Sequence, residues 1–398
     1  MKIALIADAF PPLRSSGAVL WRDLALELVK HGHQPTVITP CAELISPWIL
    51  EDMQGVEVLR LKSPKTKDIN YIRRTINEFV MPFWMLRNLR KSPLNARKWD
   101  GVVWYSPTIF LGPLARALKK KNGVRSYLII RDIFPEWAID LGLMGKGLPY
   151  QFFKRVAQYQ YTVADVIGVQ TPSNLSYFDT WRFGSERKVE VLHNWLADTP
   201  NIGCNPLVLE KIAPFKGRTI LVYAGNMGVA QDMDILIDLA EKLQSRNDIG
   251  FIFVGRGSEV RRLCQEVKLR RLNNIIFHDE IEPSEVPGLL AYCHVGLVSL
   301  ALRHKTHNIP GKFMTYMQAG LPVLASINPG NDLADMINNE CVGRVCTNGL
   351  VDTLHDMAID LIEEMKSNLT LREQCRALSI KQFSPEVAVQ QVISAISM

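Results

Sequence analysis

The feature that most constrains this chain is a unit that recurs along it: a short, β-rich apolar run, a turn, then an amphipathic helical stretch. TILVYAGNMG at 219–228 followed by DMDILIDLAEKLQ shows it plainly, and IGFIFVGRGSE at 249–259 repeats it. KIALIAD at 2–8 leads in the same way into GAVLWRDLALELVKHGH, which ends near Gly32. Runs that are apolar on both faces belong inside a sheet covered on both sides, and a helix between successive strands makes them parallel. PTVITP, VEVLRL, DGVVWYS, RSYLIIRD, DVIGVQT and VEVLHN continue the series, and NIIFHDEI, VGLVSL and PVLAS extend it later. The expected class is α/β, with doubly wound parallel sheets that bind ligands beyond the carboxyl ends of their strands.

A chain of 398 residues exceeds one comfortable hydrophobic core. The alternation pauses over residues 196–217, LADTPNIGCNPLVLEKIAPFKG, which hold three prolines and two glycines. This predicts a first domain over 1–197, a linker over 198–216 and a second domain over 217–380. A C-terminal helix over 381–398 is expected to pack back toward the first domain. The cleft between two such domains is the expected site.

Other classes fall away. No apolar run reaches the ~18 residues of a membrane span. Asp8 interrupts the short apolar start, which reads as a buried strand and not a signal peptide. The seven cysteines are scattered and odd in number, and no Cys/His spacing resembles a zinc site. Reduced thiols in a cytoplasmic protein, with no metal, are the expectation.

Several stretches carry chemistry. In NIPGKFMTYMQAGLPVL, residues 308–324, Lys312 follows Pro310 and Gly311 at the apparent start of a helix. A cation is unfavourable there unless an anion such as a phosphate lies between it and the helix end; a solvated first-turn lysine is the plain alternative. Gly225 and Gly228 in AGNMG let backbone approach a phosphate closely, although such turns also need glycine for steric reasons alone. Gly17 in SSGA opens the first helix and is expected to let that loop approach the phosphate from the opposite side of the cleft, with a Ser15 or Ser16 helix cap as the plain alternative. Arg131 and Asp132 in RDIFPEW stand at a strand's carboxyl end, as substrate contacts or as a pair that fixes the loop, with Glu136 a further acid nearby. Arg256 lies in a turn that can face the cleft. DMD at 232–234 begins a helix and reads as a cap, not a metal ligand.

In their order along the chain, DAFPPLRSSGA, GHQPTVIT, AGNMGVAQDMDILIDLAEKL, FIFVGRGSE and PGKFMTYMQAGLPVLAS resemble a known family. It is the GT-B glycosyltransferases of the retaining, nucleotide-sugar-dependent family 4 class. More narrowly, RDIFPEWAIDLG and NIPGKFMTYMQAGLPVLA are similar to bacterial O-antigen and capsule transferases that move N-acetyl-L-fucosamine or a related 6-deoxy-acetamido sugar from UDP. The resemblance implies two Rossmann-like domains and metal-free transfer of the sugar from UDP to a polyprenyl-diphosphate-linked amino sugar. Lys312 falls at the family's phosphate-contact position, and Ile309, Pro310 and Gly311 lead into it. Nucleobase contacts fall around Glu280 and Ile281. Arg131 takes the place of a histidine that contacts the transferred sugar, and Asp132 is expected to orient the acceptor or stabilise positive charge.

The chain also departs from the family. His307 and Thr315 stand where two glutamates are usual, and a threonine cannot accept a bidentate pair from ribose as a carboxylate would. Asn226 and Gln231 replace an arginine and a lysine of the glycine loop. The missing positive charge is expected from the run of Arg303, His304, Lys305 and His307, with a solvated loop as the plain alternative.

Charge separates the two halves. Residues 1–197 hold 27 Lys/Arg against 17 Asp/Glu, while residues 198–398 hold 19 against 23. Residues 60–98 alone hold eleven cations against Asp68 and Glu78, interleaved with Tyr71, Phe79, Phe83 and Trp84. Pro82 is expected to kink or divide any helix there. Cations beside aromatic rings suit an anionic membrane surface, so a peripheral enzyme on the inner face of the cytoplasmic membrane is expected; a solvated basic face is the alternative. Nucleic acid is disfavoured by the acidic second half and the lack of a recognised motif. Two rival functions are a UDP-sugar 2-epimerase of the same fold and a non-catalytic membrane or glycan scaffold.

Overall fold

The computed structural model describes residues 1–13, 15–140, 142–182, 187–303 and 307–397. It divides into two compact units, Met1–Trp195 together with Pro385–Met398, and Leu196–Ser384. In the first, eight strands run in chain order: β1 (Lys2–Ile6), β2 (Gln34–Cys41), β3 (Trp48–Met53), β4 (Val56–Lys62), β5 (Gly101–Ser106), β6 (Ser126–Ile130), β7 (Val166–Val169) and β8 (Lys188–Val191). The α-helices are α1 (Ser16–Lys30), α2 (Tyr71–Leu89), α3 (Gly112–Asn122), α4 (Glu136–Asp140) and α5 (Leu148–Val163).

The sheet order is β3-β4-β2-β1-β5-β6-β7-β8. Because successive side chains of a strand face opposite sides, Ile3 and Leu5 enter one core layer while Ala4 and Ile6 enter the other. The order reverses beside β1, which has β2 on one flank and β5 on the other. Such a switch point opens a crevice at the strands' carboxyl ends.

Three sequence expectations change. The sheet is not wholly parallel, because β3 pairs antiparallel with β4. Gln54 and Gly55 between them both have positive φ, the geometry of a two-residue hairpin turn. Helix α2 runs unbroken through Pro82; the lost N–H affects a single turn, and the ring is buried. The third change is at the C-terminus. The last helix starts at Pro385, not near 381, and groups with the first unit. Its Ala388, Val389, Val392 and Ile396 join the core layer of β1 and β5.

The second unit contains α6 (Pro206–Ile212), β9 (Thr219–Ala224), α7 (Asp234–Lys242), β10 (Ile249–Val254), α8 (Val260–Leu269), β11 (Ile275–His278) and α9 (Val286–Leu290). It continues through β12 (Val295–Ser299), α10 (Gly311–Ala319), β13 (Val323–Ser326), α11 (Asp332–Asn339), β14 (Gly343–Cys346), α12 (Val351–Ser367) and α13 (Leu371–Phe383); α14 (Pro385–Ser397) is the helix returned to the first unit. The six strands are parallel in the order β11-β10-β9-β12-β13-β14, with the switch point between β9 and β12.

Residues 198–216 are not a free linker. Val208, Ile212 and Phe215 are buried in the second unit's core, and a Cβ on Gly250 would lie 2.6 Å from the Phe215 ring. Pro206 and Pro214 start short helices instead of keeping the segment open.

Candidate active site

In the second unit the switch point sets the geometry. Strand β9 ends at Ala224, and α10 starts beside it. The Tyr316 hydroxyl accepts from the Ala224 N–H at 2.9 Å and donates to the Val222 carbonyl at 3.1 Å, which pins the helix to the strand end. Pro310 is the N-cap and provides no side-chain cap bond; a Cβ built on Gly311 would meet open space. The Lys312 ammonium lies 3.6 Å from the centre of the Tyr223 ring. Its stem passes Gly225, where a Cβ would sit 3.5 Å from the lysine Cε. Among the described residues it has no carboxylate partner. Desolvation lowers its pKa from the usual 10.5 to about 7. A lysine amine held over a ring and stripped of water is primed to take a proton when an anion arrives.

The glycine loop is stitched to its neighbour. The Gly225 N–H donates to the Val254 carbonyl at 2.9 Å and the Met227 N–H to the Arg256 carbonyl at 2.7 Å. Gly255 has φ +144°, and a Cβ there would fall 2.0 Å from the Gly225 carbonyl oxygen. Close approach of two backbones demands glycine at that point. Asn226 and Gln231 bond to each other: Gln231 Oε1 accepts from Asn226 Nδ2 and from the Gly228 N–H, both at 3.0 Å. They shape the loop where the resemblance has cations. Arg303 lines a hollow of about 360 Å³ together with Gly228, Val229, Asp232 and Arg262. His304 and Lys305 lie outside the described residues.

The remaining expected donor contacts have assigned partners. Arg256 and Glu280 are exposed and pair at 3.3 Å, while Ile281 packs against the core. His307 donates from Nδ1 to the Gly330 carbonyl at 2.8 Å. Ile309 is buried. The Thr315 hydroxyl donates to the Gly311 carbonyl at 3.2 Å, one turn back in its own helix. Asp232 has φ +45° and Asp234 is the first residue of α7. Neither caps that helix, contrary to expectation; Asp234 instead holds Arg262 at 2.7 Å.

In the first unit the switch point between β1 and β5 gathers a second group. Ser15 caps α1 by accepting from the Ala18 N–H at 3.3 Å. A Cβ on Gly17 would meet Tyr105 Cε1 at 3.0 Å, so glycine there admits the tyrosine. Burial pushes the Tyr105 hydroxyl up to about 12. Burial also raises the Asp8 carboxyl, against the opposing pull of Lys67 and Arg74. Glu78 is likewise raised by burial, although Arg74 bonds it at 2.8 Å. Asp132 is exposed after β6 and acts electrostatically on Tyr105 and Arg131.

Arg131 differs from the expected sugar contact. It is buried, donates to the Leu192 carbonyl at 2.6 Å and lies 4.9 Å over the Trp195 ring. Desolvation lowers its pKa to about 10. This placement suits holding the ends of β6 and β8 together. Glu136 accepts from the Tyr150 hydroxyl at 3.4 Å. Asp8 and Tyr105 were not singled out in the sequence. Their only signal is a position at the carboxyl ends of strands, which matters once the strand order is known.

The two units define a class, the GT-B glycosyltransferase architecture. The family of "Glycosyl transferase 4-like domain" matches residues 17–195, and "Glycosyl transferases group 1" matches residues 218–364. With both domain matches the chain is a glycosyltransferase. It is 20% identical over 404 residues to the probable glycosyltransferase WbjE of Pseudomonas aeruginosa, covering 96% of each chain. It is 28% identical over 249 residues to the putative colanic acid biosynthesis glycosyl transferase WcaI of Escherichia coli K12, covering 54% of this chain and 57% of that one. The crystal structure of Anabaena HepE in complex with UDP is similar in fold, with TM-score 0.69, 14% identity and full coverage of both chains.

Proposed function

We propose that this enzyme transfers a 6-deoxy-acetamido hexose, N-acetyl-L-fucosamine as first choice, from UDP to a polyprenyl-diphosphate-linked amino sugar, with retention. The pathway would be O-antigen or capsule assembly at the inner face of the cytoplasmic membrane. The observation that carries the donor half is Lys312: a desolvated lysine at a helix start, over an aromatic ring and beside a glycine loop, with no carboxylate among the described residues to neutralise it. The UDP bound to HepE and the colanic acid role in the name of WcaI support the donor and pathway classes. The match to transferase domains favours transfer over epimerisation.

In this reading the bond between the anomeric carbon and the β-phosphate oxygen breaks, and the acceptor oxygen bonds that carbon on the same face. The acceptor proton passes to the departing phosphate oxygen. Lys312 and the first turn of α10 stabilise the charge that develops on the diphosphate. Asp132 orients the acceptor, with Asp8 and Tyr105 lining the same end of the sheet. No metal is required. Membrane contact falls to α2, where Tyr71, Ile72 and Trp84 are 85%, 76% and 42% exposed among the cations of residues 60–98. Among the described residues no helix is long and apolar enough to cross a membrane.

Calorimetric titration of UDP with EDTA present tests the donor half. Wild type should bind, and Lys312→Ala should bind roughly 10- to 100-fold more weakly, the loss expected for one charge-assisted contact. Absent or mutation-insensitive binding would favour a non-catalytic scaffold.

A further inference from the structure

Resting on the lipid-linked acceptor read above, we propose that the groove between α2 and α5 seats the hydrocarbon chain of that acceptor. Phe79, Phe83, Phe110, Phe152, Val156 and Tyr159 line a hollow of about 400 Å³, within the range of small-ligand pockets, ~300–1,000 Å³. Phe79, Phe83 and Phe152 are 45%, 51% and 40% exposed. On α2 the exposed residues Ile72, Ile76, Phe79 and Phe83 follow helical spacing, so they form one apolar stripe that the described residues leave largely exposed.

The rings form a continuous track. Phe83 touches Phe79 with centroids 6.3 Å apart, Phe79 touches Phe152 at 6.0 Å, Phe152 touches Phe153 at 5.3 Å and Phe153 touches Phe134 at 5.1 Å. Phe134 stands two residues after Asp132, in the loop at the strand ends. The track therefore leads from an exposed apolar face to the place where the acceptor's reacting sugar is read to sit. Among the described residues, the groove's charged lining residue is a cation, Arg155, and no carboxylate lines it. A long apolar body with an anionic diphosphate head fits that arrangement. Its chain lies on the rings and its head meets Arg155.

The test uses farnesyl diphosphate as probe, inorganic diphosphate as the headgroup control and UDP as the fold and donor control, each titrated calorimetrically. Wild type should bind farnesyl diphosphate at least ~10-fold more tightly than inorganic diphosphate, because only the former buries apolar area. The double variant Phe79→Ser/Phe152→Ser should lose that difference while its UDP titration is unchanged. Lys312→Ala should keep the difference, which separates the groove from the donor's diphosphate site. Equal binding of the two probes by wild type would overturn the proposal, as would a double variant that binds like wild type. A wild-type dimer that becomes monomeric in the double variant would overturn it too, by assigning the groove to a second copy. Failure of UDP to bind, with the farnesyl preference intact and lost in the double variant, would remove the donor reading and leave the groove standing.

Discussion

At the scale of single residues, Lys312 makes the sharpest statement. Its pKa falls from 10.5 to about 7 on folding. Between those values the unfolded chain binds the extra proton, so this residue's destabilising effect is full below the lower value and fades as pH rises toward the upper. Lys312→Met should therefore raise the Tm most at acidic to neutral pH and least near pH ~10, as thermal melts would show. A bound diphosphate reverses the preference and recharges the amine. UDP binding at pH ~8 should then take up close to one proton, read as a calorimetric enthalpy that changes with the buffer's ionisation enthalpy. The same binding should weaken as pH rises from ~7 to ~9. No proton uptake, or equal uptake in Lys312→Met, would show that the amine does not face the anion.

At the scale of elements, the donor side depends on two loops held in contact by glycine. Gly255→Ala places a methyl within 2.0 Å of the Gly225 carbonyl in a backbone region that alanine avoids. The loop after β9 must move, so we expect a stability loss of ~2–4 kcal/mol in urea unfolding together with weaker UDP binding. Gly32→Ala is the matched control. Its φ is also positive, but its Cβ would meet nothing within 4 Å, so ~1 kcal/mol and unchanged UDP binding are expected. Equal losses in the two variants would show that φ alone, not the contact between loops, sets the cost.

At the scale of the molecule, the chain crosses from the first unit to the second and returns. Helix α14 contributes to the core of residues 1–195, and a Cβ on Gly101 would lie 2.6 Å from Ile396. Truncation after Ser384 removes Ala388, Val389, Val392 and Ile396 from that core. At ~1–3 kcal/mol for each larger side chain, the loss approaches the 5–15 kcal/mol that holds a domain together. Limited proteolysis of the truncated chain should degrade residues 1–195 while leaving 196–384 protected and able to bind UDP. Equal protection of both parts would show that the first unit folds without its last helix.

The local alternation of apolar runs, turns and amphipathic stretches was sufficient for the α/β class and for most strands, because strand and helix periods are properties of neighbouring residues. It also brought out Lys312, since a cation at a helix start is a local conflict with the backbone dipole. Strand order is not local. Whether Asp8 meets Tyr105, or Tyr223 meets Lys312, depends on which strands lie side by side. In sequence Arg131 reads as a substrate contact or as a partner of Asp132, and its bond to the carbonyl of Leu192, sixty-one residues away, is visible only in the tertiary structure. The segment 198–216 was likewise decided by the tertiary structure. Its composition suits a connection, and only the surface it covers gives it a place in a core.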